Sequence, residues 1–438
     1  MTHIRRILDN LSSGAVIPGI LSLFNAGIGL IFGILIVRLM GPENYGTYGL
    51  AASIFAITII FSDLGYSPLS LREVPRFVIN NDKSYLKGFL DKALKSIFLV
   101  TFCVCLILIL FSYWYLREAN NELFFALSAM CLTLITYMPY QLLSYLLRAL
   151  KAPNKYYFFE IIRIILVLIL NTSFFYMTGY LEPSVVFILF AISNICMSIV
   201  IMIFLKSFDI FRFKNKQKQF NTKWASSGLY YIALGAGYIV LSNTDILVLG
   251  YYLSSSEVGF YKLGLLISGT IVIFLSGVDS YLAPKLSELF KQKNMKELEN
   301  LSLRNSKITT LPILPFFMLF AFYGEQIITL FFGDEYLPTM EVLLILIAGT
   351  ACRVIFGSVG FIINMSGKEN VTAKIFWLGC IFNFILNIIF VPWIGSIGAA
   401  VATSISLFII YLVQYIYIRI TLRIQPSYLL NAFFNKIR

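Results

Sequence analysis

Charge is what this chain has least of. Only 13% of its 438 residues are Asp, Glu, Lys or Arg, against about a quarter in soluble domains. With 59% apolar residues and a mean hydropathy of +0.83, that scarcity excludes a soluble globular protein and implies an integral membrane one. Histidine is nearly missing as well. The single His3 lies in the N-terminal tail, which leaves no material for a histidine-based metal or catalytic site. The six cysteines (Cys103, Cys105, Cys131, Cys196, Cys352 and Cys380) all fall inside apolar runs and read as small buried hydrophobes, not as a disulfide framework. Also absent is any large polar segment that could sit outside the membrane as a catalytic domain. The longest outer connection, around 324–339, offers only Asp334 and Glu335 as a close carboxylate pair, which argues against a membrane enzyme.

What is present is apolar length. The runs far exceed the ~10 residues of a barrel strand, so the spans are helical. Twelve are found, at about 15–40, 46–68, 93–115, 122–147, 158–178 and 184–205, then 224–250, 258–281, 306–331, 340–363, 372–392 and 395–418. The first lacks a small-residue cleavage site and is too long for a signal segment, so it is expected to be retained. With the N-terminus placed in the cytoplasm, 29 of the 34 Lys and Arg residues fall on that side, and the outer connections carry only Arg117. That asymmetry is the positive-inside rule. It accounts for the net charge of +12 without nucleic acid and puts both termini inside. Aromatic residues at Tyr113-Trp-Tyr115, Tyr156-Tyr157, Tyr251-Tyr252, Trp224 and Trp393 form an interfacial belt.

The chain repeats itself at an offset of 213 positions. Gly46 then meets Gly259, Tyr48 meets Tyr261, Leu50 meets Leu263, Ser67 meets Ser280 and Arg72 meets Lys285. A half-chain repeat in an apolar protein points to a transporter with its path between the halves; chance similarity between two hydrophobic hairpins is the competing account. The fold expected is an all-α polytopic membrane protein of 12 transmembrane helices in two pseudo-symmetric six-helix lobes. The bounds are 1–205 for the N-lobe, 206–223 for a cytoplasmic linker, 224–418 for the C-lobe and 419–438 for a cytoplasmic tail.

Charges inside the spans are the candidate site residues, since a mid-bilayer ionisable group costs about 3 kcal/mol and usually faces a bundle interior or a wet cavity. The bases are Arg38, Arg163, Lys262 and Arg353; the acids are Glu160 and Asp245, with Asp63 and Asp279 near inner span ends. Glu160 and Arg163, three apart on one helix, can neutralise each other. Asp245 and Lys262 share a depth on either side of an outer turn and can do the same, while Arg38 can snorkel to water. Arg353 has no acid within four positions and is read as lining a cavity. A surplus of buried bases over buried acids suits an anionic substrate, and arginine forks match phosphate oxygens.

Taken together, Arg38-Leu-Met-Gly-Pro-Glu-Asn-Tyr-Gly-Thr-Tyr48, Ser62-Asp-Leu-Gly65 and Leu71-Arg-Glu-Val74 resemble the opening of the polysaccharide transporter family. These are the Wzx-type flippases of the multidrug/oligosaccharidyl-lipid/polysaccharide exporter (MOP) superfamily. Asn243-Thr-Asp-Ile-Leu-Val-Leu-Gly-Tyr-Tyr-Leu253 with Glu257-Val-Gly-Phe-Tyr261, and Ile394-Gly-Ser-Ile-Gly-Ala-Ala-Val-Ala-Thr403, resemble its later spans. The resemblance implies a MATE/MOP-like, V-shaped pair of lobes in the bacterial inner membrane that alternates between inward and outward openings. Its substrate would be an undecaprenyl-diphosphate-linked oligosaccharide, an O-antigen unit or similar, moved through a cationic cavity lined by spans 1, 2, 7 and 8. It implies no cofactor, proton or Na+ coupling with the ion left open, membrane lipids as surroundings, and a polysaccharide polymerase and chain-length machinery as downstream partners. Arg38, Lys262 and Asp245 fall on those spans. A cation-coupled multidrug exporter of the same superfamily, and a membrane-embedded polymerase or glycosyltransferase, are the alternatives.

Overall fold

The computed structural model describes residues 16–79, 83–116, 120–150, 153–206 and 223–437. Every regular element among them is helical, as hydrocarbon requires of a backbone that must satisfy its own hydrogen bonds. In chain order they are α1 (Val16–Asp63), α2 (Tyr66–Ile79), α3 (Lys83–Tyr115), α4 (Asn121–Ala149), α5 (Pro153–Thr178) and α6 (Pro183–Lys206). Then come α7 (Lys223–Tyr252), α8 (Ser255–Lys291), α9 (Met295–Thr310), α10 (Ile313–Phe331), a 3-10 turn (Asp334–Thr339), α11 (Met340–Phe356), α12 (Val359–Met365), α13 (Glu369–Thr421) and α14 (Tyr428–Ile437). Among the described residues, nine helical stretches are long and apolar enough to cross a membrane. His3, Arg5, Arg6, Arg117 and most of the 206–223 connection lie outside the described residues.

The long helices break where their sequence obliges them to. In α1 the break is Gly41 (φ +72), directly before Pro42; proline has no amide hydrogen to donate and glycine alone takes that φ without strain. In α13 the break is Ile394–Gly395, the glycine at φ +59, two residues after Pro392. The arms on either side correspond to separate apolar runs of the sequence. A tight left-handed turn at Leu64–Gly65 ends α1. The Asp63 carboxylate closes it by accepting from the Ser67 backbone N–H (3.2 Å) and from the Ser67 hydroxyl, which is N-cap chemistry.

The chain divides into two compact units. The first comprises Met1–Met40 and Ile54–Ala233. Here α4 and α6 run along each other, and the Thr133 hydroxyl on α4 donates to the Phe187 carbonyl on α6 at 2.6 Å. Cys105 and Cys131 pack α3 against α4 as free, buried thiols. The second unit comprises Leu234–Arg438 together with Gly41–Ser53, the stretch that follows the Gly41 break. At one end of it lies an apolar cluster of Leu286, Leu289, Leu298, Phe356, Val359 and Ile418, onto which the C-terminal segment is strapped. Ser427 donates to the Ile355 carbonyl (2.5 Å), and the Tyr428 N–H donates to the Ser306 hydroxyl (3.0 Å).

The two glycines that the 213-residue offset aligns touch each other. A Cβ on Gly46 would fall on the Ser255 carbonyl, and one on Gly259 on the carbonyl of Pro42. Small residues permit such backbone-to-backbone crossings in membranes. Gly46→Ala and Gly259→Ala should therefore each destabilise the second unit by about 1–3 kcal/mol, the usual cost of overpacking. Thermal unfolding of the purified protein in detergent checks this, and a wild-type melting temperature for both variants would contradict the crossing.

Candidate functional site

In α7 a polar run, Ser242-Asn-Thr-Asp245, interrupts the apolar sequence. Three of its members fold back on their own helix. Ser242 donates to the Tyr238 carbonyl, Asn243 to Ile239 and Thr244 to Val240, at 2.7–2.8 Å. Asp245 alone reaches outward. Its carboxylate is 1% exposed and accepts three side-chain hydrogen bonds from three other helix segments. They come from Tyr261 Oη on α8 (2.8 Å), Asn387 Nδ2 on the first arm of α13 (2.8 Å) and Thr403 Oγ1 on its second arm (2.5 Å). Asn383 Nδ2, one turn before Asn387, supports Thr403 at 3.4 Å. Hydrogen bonds to a charged acceptor are the strong ones. Together they offset the burial of a carboxylate in an apolar bundle.

This cluster forms one wall of a cavity of about 440 Å³ in the second unit, within the size range of ligand clefts. Lys262 on α8 and Arg353 on α11 line the same cavity, with Tyr45, Asn243, Thr350 and Tyr411. Lys262 is half-buried, its stem lying along Gly49, where a Cβ would come to 3.4 Å from its Cγ. No ion pair joins it to Asp245 among the described residues. Asp245, Lys262 and Arg353 are thus brought to one cavity.

The remaining candidates lie elsewhere. Arg38 is exposed on α1 in the first unit. Arg163 is held by Glu160 through Nη2 at 3.0 Å and Nε at 3.3 Å, with its guanidinium over the Tyr140 ring at 5.0 Å. Asp63 caps α2 as described. Asp279 falls on α8, and its side chain lies outside the described residues. Asn383, Tyr261 and Thr403 are site residues that sequence reasoning does not single out. The one available signal is the Asn383/Asn387 spacing, which puts two amides on one helical face of an apolar run.

The fold built from these helices is that of a known class of membrane transporters. It matches an inward-facing multidrug resistance MATE family transporter of the MOP superfamily with a TM-score of 0.71 and 14% identity, over 92% of this chain and 97% of that one. It matches the lipid II flippase MurJ, in an inward closed conformation, at 0.67 and 18%, over 92% and 88%. The chain itself belongs to the polysaccharide biosynthesis protein family, whose model matches residues 13–290. Among sequence relatives, an uncharacterized membrane protein of Methanocaldococcus jannaschii, MJ1068, is 26% identical over 85% of this chain and 76% of its own length. A probable low-salt glycan biosynthesis flippase of Haloferax volcanii, Agl15, is 24% identical over 44% of this chain and 40% of its own.

Two predictions follow from the geometry. Asp245→Asn keeps the shape but removes the charge that three donors converge on, and should lower transport about tenfold or more, a hydrogen bond to a charged group being worth about 1.5–3 kcal/mol. Its membrane insertion should stay at the wild-type level; transport in cells lacking the wild-type copy is the readout. Arg163→Met should cost about 3–5 kcal/mol by stranding the Glu160 carboxylate. The double variant Glu160→Leu/Arg163→Met should recover most of that stability, as measured by thermal unfolding. Absence of recovery would show that Arg163 has work beyond the pair.

Proposed function

We propose that the protein is a flippase for lipid-linked oligosaccharides. It moves undecaprenyl-diphosphate-linked repeat units of a surface polysaccharide from the cytoplasmic to the outer leaflet of the bacterial cytoplasmic membrane, crossing that membrane twelve times with both ends inside. No bond is made or broken; the mechanism is alternating access through a cationic cavity. The observation that carries this reading is the convergence of Lys262 and Arg353 on one cavity in a chain of the polysaccharide biosynthesis family. The glycan biosynthesis flippase named among its relatives supports it. A diphosphate needs opposite charge and hydrogen-bond donors once it leaves water. An arginine fork and a lysine point charge supply both.

Asp245 is the coupling element in this reading. The residues around it fit a proton or a hard cation such as Na+. The carboxylate and the Thr403 hydroxyl are oxygen donors, and the amide oxygens of Asn383 and Asn387, whose nitrogens face Thr403 and the carboxylate, are buried without a hydrogen-bond partner. A bound cation would supply charge neutralisation for the carboxylate. Tyr261 and Asn387 would hold the carboxylate in place between the arms of α13. Polymerase and chain-length machinery would take the unit on the far side.

That same buried carboxylate on a cavity wall also favours a second reading, a cation-coupled multidrug exporter of the superfamily. One experiment separates the two. Lipid-linked saccharide is quantified on each face of the inner membrane in cells lacking the protein. Build-up on the cytoplasmic face is expected, relieved by wild type, not by Arg353→Ala, and in part by Arg353→Lys, which keeps the charge but loses the fork. Normal translocation in the deletion strain, with drug accumulation raised instead, would establish the exporter.

A further inference from the structure

A smaller cavity of about 310 Å³ adjoins the one just described, and Tyr238, Val272, Arg353 and Tyr411 line both. It sits beside the break between α11 and α12, where Gly357 takes a φ of +79. Gln414, on the second arm of α13, lines it and is 0% exposed, yet neither Oε1 nor Nε2 of its amide has a hydrogen-bond partner. Thr372, on the first arm, lines it too and is buried with its hydroxyl equally unsatisfied. Buried amides and hydroxyls are nearly always hydrogen-bonded, because leaving them unmet forfeits the solvation they had in water. Two such groups facing one cavity mark a place where something else completes them.

The chain also keeps the space before the amide open. Gly360 faces it, and a Cβ there would come to 3.0 Å from Gln414 Oε1. Four aromatic residues share the remaining wall with Arg353, Ser358 and Asn364: Phe361, Phe376 and Tyr411, with Tyr238 edge-on to Phe376 at 5.9 Å between ring centroids. Among the described residues no carboxylate lines the cavity. Aromatic faces suit a ring that presents C–H groups, and an amide with a neighbouring hydroxyl donates to and accepts from hydroxyls in turn. The volume is at the small end of ligand clefts.

We propose that this cavity is a saccharide subsite. With the diphosphate at Lys262 and Arg353, the sugar ring next to it lies against the aromatic wall, and Gln414 reads its hydroxyl pattern. The subsite rests on the flippase reading and gives it a specificity determinant. Sites that hydrogen-bond a substrate hydroxyl reject analogues lacking it, since their own buried groups are then left unmet.

The test measures binding to the full-length protein in lipid nanodiscs. The probes are bare undecaprenyl diphosphate and the same lipid carrying one N-acetylhexosamine, one hexose or one 6-deoxyhexose. Wild type should bind at least one sugar-bearing lipid about tenfold or more tightly than the bare one. Gln414→Leu should bring that ratio near one, leave the bare lipid unaffected, and raise the melting temperature by removing an unsatisfied amide. Gly360→Ala, which fills the space before the amide, should lower the ratio likewise and carries the test where Gln414→Leu does not fold. Arg353→Ala should weaken all four lipids alike. A wild-type ratio retained in the folded variants would overturn the subsite, as would a wild type that binds the bare lipid equally well, the cavity then holding water only. A wild type that binds none of the four lipids would overturn the flippase reading and the subsite with it.

Discussion

A carboxylate buried in an apolar bundle is tolerable only when the protein replaces the water it has lost. The second unit is organised around that requirement. Asp245 draws one donor from α8 and one from each arm of α13, so four helix segments are fixed to one another through a single side chain. The break at Ile394–Gly395 makes this possible, since an unbroken α13 could not bring Asn387 and Thr403, sixteen positions apart, to the same carboxylate. Gly398, where a Cβ would collide with the Phe390 carbonyl, lets the two arms close on each other. A small residue at a crossing and a polar group at its centre are parts of one arrangement.

The first unit handles its charge differently. Glu160 and Arg163 sit three apart on α5, satisfy each other, and need only the Tyr140 ring as a third partner. Such a pair asks nothing of a ligand. Lys262 and Arg353 line a cavity instead, on two different helices. On the proposed reading, the distribution of charge between local pairs and cavity walls matters more than the number of charges.

Much of this was legible in the sequence because the bilayer leaves few choices. Apolar run length implies helices, Gly41-Pro42 implies a break, and the spacing of Glu160 and Arg163 implies a pair. Even the 213-residue repeat aligned two glycines that prove to touch. What could not be read was which way a polar side chain inside a span would turn. Ser242, Asn243 and Thr244 bond back to their own helix while the next residue reaches across, and nothing in the one-dimensional pattern distinguishes them. Among the described residues no ion pair joins Asp245 and Lys262, the two groups expected to neutralise each other. Successive residues on a helix point about 100° apart. It is Tyr261, not its neighbour, that faces the carboxylate. One glutamine in an apolar helix carries no pattern at all, so the sequence does not single out Gln414.

Asp245 and Gln414 mark two opposite treatments of a buried polar group in one unit. The first has every oxygen engaged by the protein and holds helices together; the second has an amide that the protein leaves unmet beside a cavity. For a protein built only to be stable the second arrangement is a defect, and an apolar residue of similar shape would remove it. For one that must take a polar molecule out of water and release it again, it is a requirement. Groups already satisfied within the protein have nothing to offer a passing hydroxyl. Groups left wanting make the loaded state better than the empty one by a margin small enough to be reversed. On the proposed reading the unit keeps its frame and its affinity for sugar hydroxyls on different residues, Asp245 joining the helices and the walls beside Arg353 being completed by the cargo.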